Sequence, residues 1–203
     1  MTALSKLVYG EDRWPYFTEK FPLKVKNMKV DSTFLSTLEE NIKDAGDALQ
    51  GRTAAKCLMT NWAMHDYYEA FRLVGEFAME IAKTIPVAKR TKPNGEIDEV
   101  PLYIKESWGL VYQKGQSTQV HNHWPSLWSY TFCVKACSDC SPLVFPTSDE
   151  KKAVKPENGQ LILFPAWIMH EVPEHTCEHE RIMIAGNLNV GSLYSWIQSC
   201  FIT

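Results

Sequence analysis

Val120–Val134, VHNHWPSLWSYTFCV, reads as two short strands, Val120–His123 and Trp128–Val134, separated by a Pro-Ser break. Further β-rich runs surround it: Leu102–Tyr112, Leu143–Phe145, Gln160–Phe164 and Arg181–Val190, parted by Gly, Pro, Ser and Asn. Short strands at this spacing with no helices between them predict antiparallel pairing in a barrel or double-sheet jelly roll, not a parallel sheet. The strand texture begins after the turn signal Pro93-Asn94-Gly95.

Upstream the periodicity is helical. Asp31 or Ser32 can cap a helix through Phe34, Leu35, Leu38 and Ile42 that ends near Gly46. Tyr67, Phe71, Val74, Phe77, Ala78 and Ile81, three and four apart, predict a longer helix that Pro86 stops. Its aromatic stripe reads as packing against a sheet. The fold class is therefore α+β and mainly β, a jelly roll with helices on one outer face. One domain spans 1–203, with 1–97 a mainly helical flank and 98–203 the core. No repeat or low-complexity segment interrupts it.

Composition limits the function classes. The chain of 203 residues is 45% hydrophobic and 22% charged, an ordinary globular balance. A net charge of −3, with only Ala88–Lys92 locally basic, gives no field for a polyanion, so nucleic acid is not an expected partner. No apolar run spans a bilayer and the N-terminus does not read as a signal peptide, so a cytoplasmic protein without a membrane partner is expected. The six cysteines are then expected to be reduced thiols. Oligomeric state has no signature.

Three of the six histidines are placed to share a metal ion. His121 and His123 alternate on a strand, so both rings face one side, with Cα atoms about 6.5 Å apart. His170 follows the apolar run Leu161–Phe164 and the segment Pro165–Met169, which suits a ligand delivered from a strand end. Spacing alone fits either a metal site or unrelated histidines. Arg181 adds weight to the metal reading. It shares a strand face with Met183, Ala185, Asn187 and Asn189, and a guanidinium placed inside needs an anion, for which its planar fork suits a carboxylate. A buried pair with an internal acid is the plainer alternative. Tyr112 and Tyr130 can each offer a hydroxyl or simply pack. Trp108, Trp124, Trp128 and Trp167 either wall off a pocket or fill the barrel.

Cys137-Ser138-Asp139-Cys140 is a CxxC that Cys177 and His179 could complete as a structural zinc site. Without a second pair at standard spacing it reads as a tight turn after a strand. His65, His175 and His179 read as surface residues.

The segments VHNHWPSLWSYTFCV, NGQLILFPAWIMHEVPE and ERIMIAGNLNV resemble the 2-oxoglutarate- and Fe(II)-dependent oxygenases. Tyr112-Gln113-Lys114-Gly115 is similar to the strand end that precedes the first histidine in that family. The resemblance spans about residues 100–190 in three ordered motifs. It implies Fe(II) held by His121, His123 and His170, and 2-oxoglutarate as co-substrate with Arg181 on its distal carboxylate. Tyr112 and Asn187 are further candidate co-substrate contacts. It also implies an oxidoreductase, a dioxygenase that hydroxylates a small molecule or peptide with release of succinate and carbon dioxide. His123 departs from the pattern, because the wider superfamily carries an acid there. Three neutral imidazoles would leave the metal centre near +2 instead of about +1. That departure keeps open a three-histidine zinc hydrolase or hydratase, a cupin-type dioxygenase, and a non-enzymatic metal- or ligand-binding barrel. The substrate would be selected by loops such as Ser138–Lys155, which carry no readable signature.

Overall fold

A computed structural model describes residues 21–49, 52–85, 90–91, 95, 97–98, 101–148 and 152–191. Pro86, Pro93, Asn94, Cys200, the N-terminal segment 1–20 and most of the basic run 88–92 lie outside the described residues. In chain order the elements are β1 (Lys24–Asn27), α1 (Ser32–Ala45), β2 (Ala55–Lys56), β3 (Leu58–Met59), α2 (Met64–Tyr67) and α3 (Glu69–Lys83). They continue as β4 (Arg90–Thr91), β5 (Ile97–Asp98), β6 (Leu102–Tyr112), β7 (Ser117–His121) and β8 (Trp128–Lys135). The last are β9 (Leu143–Val144), β10 (Ala153–Val154), β11 (Gln160–Pro165), β12 (His170–Val172) and β13 (Arg181–Val190).

The strands form two antiparallel sheets, in the orders β1-β11-β8-β13-β6-β3 and β10-β9-β12-β7-β2, with β4-β5 a separate hairpin. Trp108, Leu110, Tyr112, Phe164, Met183 and Ala185 of the larger sheet share one core with Ala55, Leu143 and Val172 of the smaller. The two sheets thus face each other across that core as a jelly roll. The opposite face of the larger sheet, through Val111, Phe132, Leu161, Leu163, Ile182 and Ile184, packs on Leu38, Ile42, Phe71, Val74, Ala78 and Ile81 of α1 and α3. Because that sheet is covered on both sides, β11 is buried at every position and reads as a continuous apolar run. The helices cover one outer face, as the periodicity predicts.

Local signals explain the boundaries. Asp31 caps α1 by accepting from Phe34 N–H at 2.8 Å, and Gly46 at φ 65° ends it. The second predicted helix is two helices: Tyr68 is extended, at φ −126° and ψ 117°, and breaks α2 from α3. Tyr67 consequently leaves the apolar stripe and is exposed. The helix ends at Lys83, before Pro86 is reached. The N-terminal part is not only helical. β1, β2 and β3 add short strands to the sheet margins, too short for period-two patterning to register.

Gly186 of β13 sits where the larger sheet meets the Tyr130 ring. A Cβ there would collide with Cζ and Oη of Tyr130 and lie 2.7 Å from the Glu106 carbonyl oxygen. Gly186→Ala is therefore expected to destabilise the fold by about 1–3 kcal/mol through overpacking. Urea unfolding midpoints with an unchanged slope check it; an unaltered midpoint would mean that the Tyr130 layer yields freely.

Candidate functional site

His121 ends β7 and His170 begins β12, and the two are direct antiparallel partners. Register alone brings the first and last histidines together across 49 residues of chain. The expected strand Val120–His123 stops at His121, so His123 lies in the turn beyond it. Its backbone N–H donates to the Ala166 carbonyl at 2.7 Å, which turns the chain and brings the ring back beside the others. Ring centroids are 4.8 Å apart for His121 and His123, 4.4 Å for His121 and His170, and 5.0 Å for His123 and His170. One nitrogen from each lies within 4.8 Å of the others, a spacing one ion can bridge.

Two of the rings are oriented for ligation. His121 Nδ1 lies 2.8 Å from the Gln119 carbonyl and His170 Nδ1 lies 3.0 Å from that of Ile168. A carbonyl only accepts, so Nδ1 carries the proton in each and Nε2 presents its lone pair. His123 is set by packing against Trp108, ring centroids 5.5 Å apart. Burial lowers all three imidazoles, His123 to about 3 and His170 well below its ordinary value. All three are neutral at physiological pH, the form in which an imidazole can bind a metal.

The histidines open into a cavity of about 330 Å³. Its walls are largely apolar, with Leu110, Leu143, Phe164, Val172 and Met183 among them, and Trp62 and Trp108 also line it, their rings edge to face at 4.7 Å. Arg181, 2% exposed, lines the same cavity. Its guanidinium stacks over the Tyr112 ring at 4.8 Å, and its Nε is buried without a hydrogen-bond partner. Among the described residues no carboxylate forms an ion pair with it, so the internal acid that would explain it structurally is missing. The orphaned donor points to a ligand anion.

Tyr112 also lines the cavity, its hydroxyl 2.6 Å from Thr118 Oγ1. Asn187 does not. Its amide is taken up by Ser129, which donates to Oδ1 at 2.8 Å, and by Glu106, which accepts from Nδ2 at 2.8 Å. Tyr130 packs toward the helices, and so does Trp128, while Trp124 and Trp167 are exposed. Trp62 and Thr118 were not foreseen; neither lies in a periodic pattern or motif. Two histidines expected at the surface are not there. His175 is completely buried, and the His65 side chain, on α2, is only 12% exposed. Both lie in short segments whose polar neighbours mask tertiary burial.

Residues 146–187 match the family described as "Putative 2OG-Fe(II) oxygenase". That stretch includes His170 and Arg181, and the match bears out the resemblance read from the motifs. A search of curated proteins returns no match. Among solved structures, the chain is similar to a viral collagen prolyl hydroxylase from Paramecium Bursaria Chlorella virus-1 in complex with 2OG. The TM-score is 0.62 at 13% identity, covering 82% of this chain and 94% of that one. A Pseudomonas putida prolyl-4-hydroxylase gives 0.59 at 12% identity, over 85% and 95%. HygX from Streptomyces hygroscopicus, with nickel and 2-oxoglutarate bound, gives 0.55 at 12% identity, over 93% and 87%. Likeness at these identities is one of fold. No described helix is long and apolar enough to cross a membrane.

The resemblance read from the motifs expects an acid at the position of His123, and no carboxylate joins the histidine cluster among the described residues. His123→Asp is expected to retain one equivalent of Fe(II) and part of the turnover, because the ring position already faces the shared centre. Metal analysis after anaerobic loading checks it. A folded variant that takes up no iron would show that the shorter acid cannot reach.

Proposed function

We propose that this chain is a 2-oxoglutarate-dependent Fe(II) dioxygenase that hydroxylates a small molecule or a peptide. The observation that carries the reading is the buried Arg181, its Nε without a hydrogen-bond partner, in the same cavity as His121, His123 and His170. The residues fit both groups: three bare imidazole nitrogens for a metal, and a planar cationic fork for a carboxylate. Bound iron and 2-oxoglutarate would supply the oxygen chemistry, releasing succinate and carbon dioxide as the substrate is hydroxylated.

The protein's own contribution is placement. The Gln119 and Ile168 carbonyls lock the tautomers of His121 and His170, so that Nε2 of each faces the metal position. Arg181 anchors the co-substrate's distal carboxylate, and the Tyr112 ring beneath it limits where the guanidinium can go. Burial among apolar side chains strengthens that ion pair and keeps water from the reacting centre. The fold relatives reach across both substrate classes by name, from collagen prolyl hydroxylase to a structure of HygX with hygromycin B.

The test is iron-dependent release of succinate from 2-oxoglutarate, preceded by anaerobic titration of Fe(II) and 2-oxoglutarate for their weak visible charge-transfer band. The absence of acid from the histidine cluster favours one rival, a zinc hydrolase or hydratase. That enzyme gives Arg181 no role and would release no succinate. Failure of both the band and the succinate assay in metal-replete protein would hand the site to it.

A further inference from the structure

Away from the cavity, the CxxC that sequence spacing assigns to a tight turn is joined by two distant residues. Cys137 Sγ lies 3.6 Å from Cys140 Sγ and 3.3 Å from Cys177 Sγ. The three sulfurs lie within 4.8 Å of one another. The imidazole of His179 closes the fourth side, its Nδ1 3.3 Å from Cys177 Sγ and 3.8 Å from Cys137 Sγ. We infer that Cys137, Cys140, Cys177 and His179 form a structural zinc site, separate from the histidine cluster of the cavity.

Ligand type and spacing both support it. Tetrahedral zinc with Zn–S of about 2.3 Å and Zn–N of about 2.0–2.1 Å sets neighbouring sulfurs about 3.8 Å apart and sulfur–nitrogen pairs about 3.6 Å apart. The Cys137 sulfur lies at such distances from both other sulfurs, and His179 Nδ1 lies at such distances from Cys137 and Cys177. A disulfide would use two of the three sulfurs and leave the third without purpose; a soft divalent cation uses all of them. Backbone donors are also aimed at the sulfurs. Cys137 N–H reaches Cys140 Sγ at 3.3 Å and His179 N–H reaches Cys177 Sγ at 3.3 Å. Donors so placed favour thiolate over thiol. On binding, Zn²⁺ displaces the three thiol protons and takes the neutral nitrogen of His179.

The surroundings hold the ligands in place. His175 is completely buried between the two ligand-bearing segments. Its Nε2 lies 2.7 Å from the His179 carbonyl, and its Nδ1 is 3.4 Å from Ser141 N–H. The carbonyl fixes the proton on Nε2 and leaves Nδ1 to accept, so the ring ties both ligand loops together. Its backbone is fastened to the turn after β6, donating to Gln116 O and accepting from Gly115 N, each at 2.7 Å. Ser141 Oγ donates to Glu174 O at 3.0 Å. The Lys155 ammonium lies 2.8 Å from the Ser138 carbonyl, placing a positive charge beside a centre whose three thiolates would otherwise leave −1. Zinc here would staple the loop after β8 to the loop joining β12 to β13, which ends at Arg181.

The test uses the full chain as a His121→Ala/His170→Ala double variant, which removes the other metal position, reduced and stripped of metal. Cobalt(II) is titrated in. One equivalent should give thiolate-to-cobalt charge transfer in the near ultraviolet and the intense visible bands of a tetrahedral site, both erased by one equivalent of zinc. Cys177→Ser in that background should lose most of the charge-transfer intensity, and His179→Ala should keep it while shifting the visible bands. A folded protein that shows no sulfur charge transfer overturns the inference, as does an unchanged spectrum in Cys177→Ser. Unchanged visible bands in His179→Ala would overturn the fourth ligand. Should Cys177→Ser fail to fold, the titration of the double variant decides alone. A chain two hydrogens lighter, with Cys137 in a disulfide, that takes up no cobalt after reduction also counts against it.

Discussion

His170→Ala is expected to abolish stoichiometric Fe(II) binding and, with it, all succinate release above background. Among the three ring nitrogens, that of His170 is the most completely enclosed, and its residue is 4% exposed. No described carboxylate stands near enough to replace it. The two remaining imidazoles, His121 at a strand end and His123 in a turn, would hold a divalent ion in competition with water on most of its positions. Loss of the ring also strands the Ile168 carbonyl, at about 1–3 kcal/mol if no water reaches it. That cost is a fraction of an ordinary domain's stability, so the variant should fold. Metal content after anaerobic loading, beside circular dichroism, reads the outcome. Single Ala variants of His121 and His123 should also lose iron, less completely. Undiminished iron in folded His170→Ala would remove the site as drawn.

How far this arrangement is legible in the sequence depends on the range of the interactions behind it. β6 and β13 match their predicted spans, Leu102–Tyr112 and Arg181–Val190, because each is long enough for its strand pattern to register. The Asp31 cap is local, three residues from its partner, and was equally readable. Strands of two residues such as β2 and β3 exist only because a neighbouring strand pairs with them, and no pattern of their own announces them. The break at Tyr68 falls inside a pattern whose apolar spacing continues through it. In the site, His121 and His123 were legible as alternating residues, although a turn, not a strand, brings His123 round. The cluster of Cys137 and Cys140 with Cys177 and His179 shows the same limit more sharply. Spacing cannot reveal that the sulfurs of residues 40 apart lie 3.3 Å from each other; β12 and β13 must first pair with their own partners and carry the connecting loop there.

Arg181→Ala is expected to weaken 2-oxoglutarate binding by roughly ten- to a hundred-fold while leaving metal content unchanged. The guanidinium is remote from the ligand set in role: it touches Tyr112, not a histidine. A charge-assisted hydrogen bond to a carboxylate is worth about 1.5–3 kcal/mol, and each 1.4 kcal/mol is about tenfold in affinity. Arg181→Lys should recover only part, since an ammonium keeps the charge but cannot present two parallel donors. Both variants disturb the stacking on Tyr112 and the Ala variant also loses buried volume, so circular dichroism and urea midpoints accompany the titration. Calorimetric titration of 2-oxoglutarate into Fe(II)-loaded wild type, Arg181→Ala and Arg181→Lys measures the series. An order of wild type, Lys, Ala identifies a carboxylate held by its geometry as well as its charge. Equal affinities in folded, metal-replete proteins would remove the case for a co-substrate carboxylate at the guanidinium, and the three-histidine zinc enzyme would then describe the cavity better.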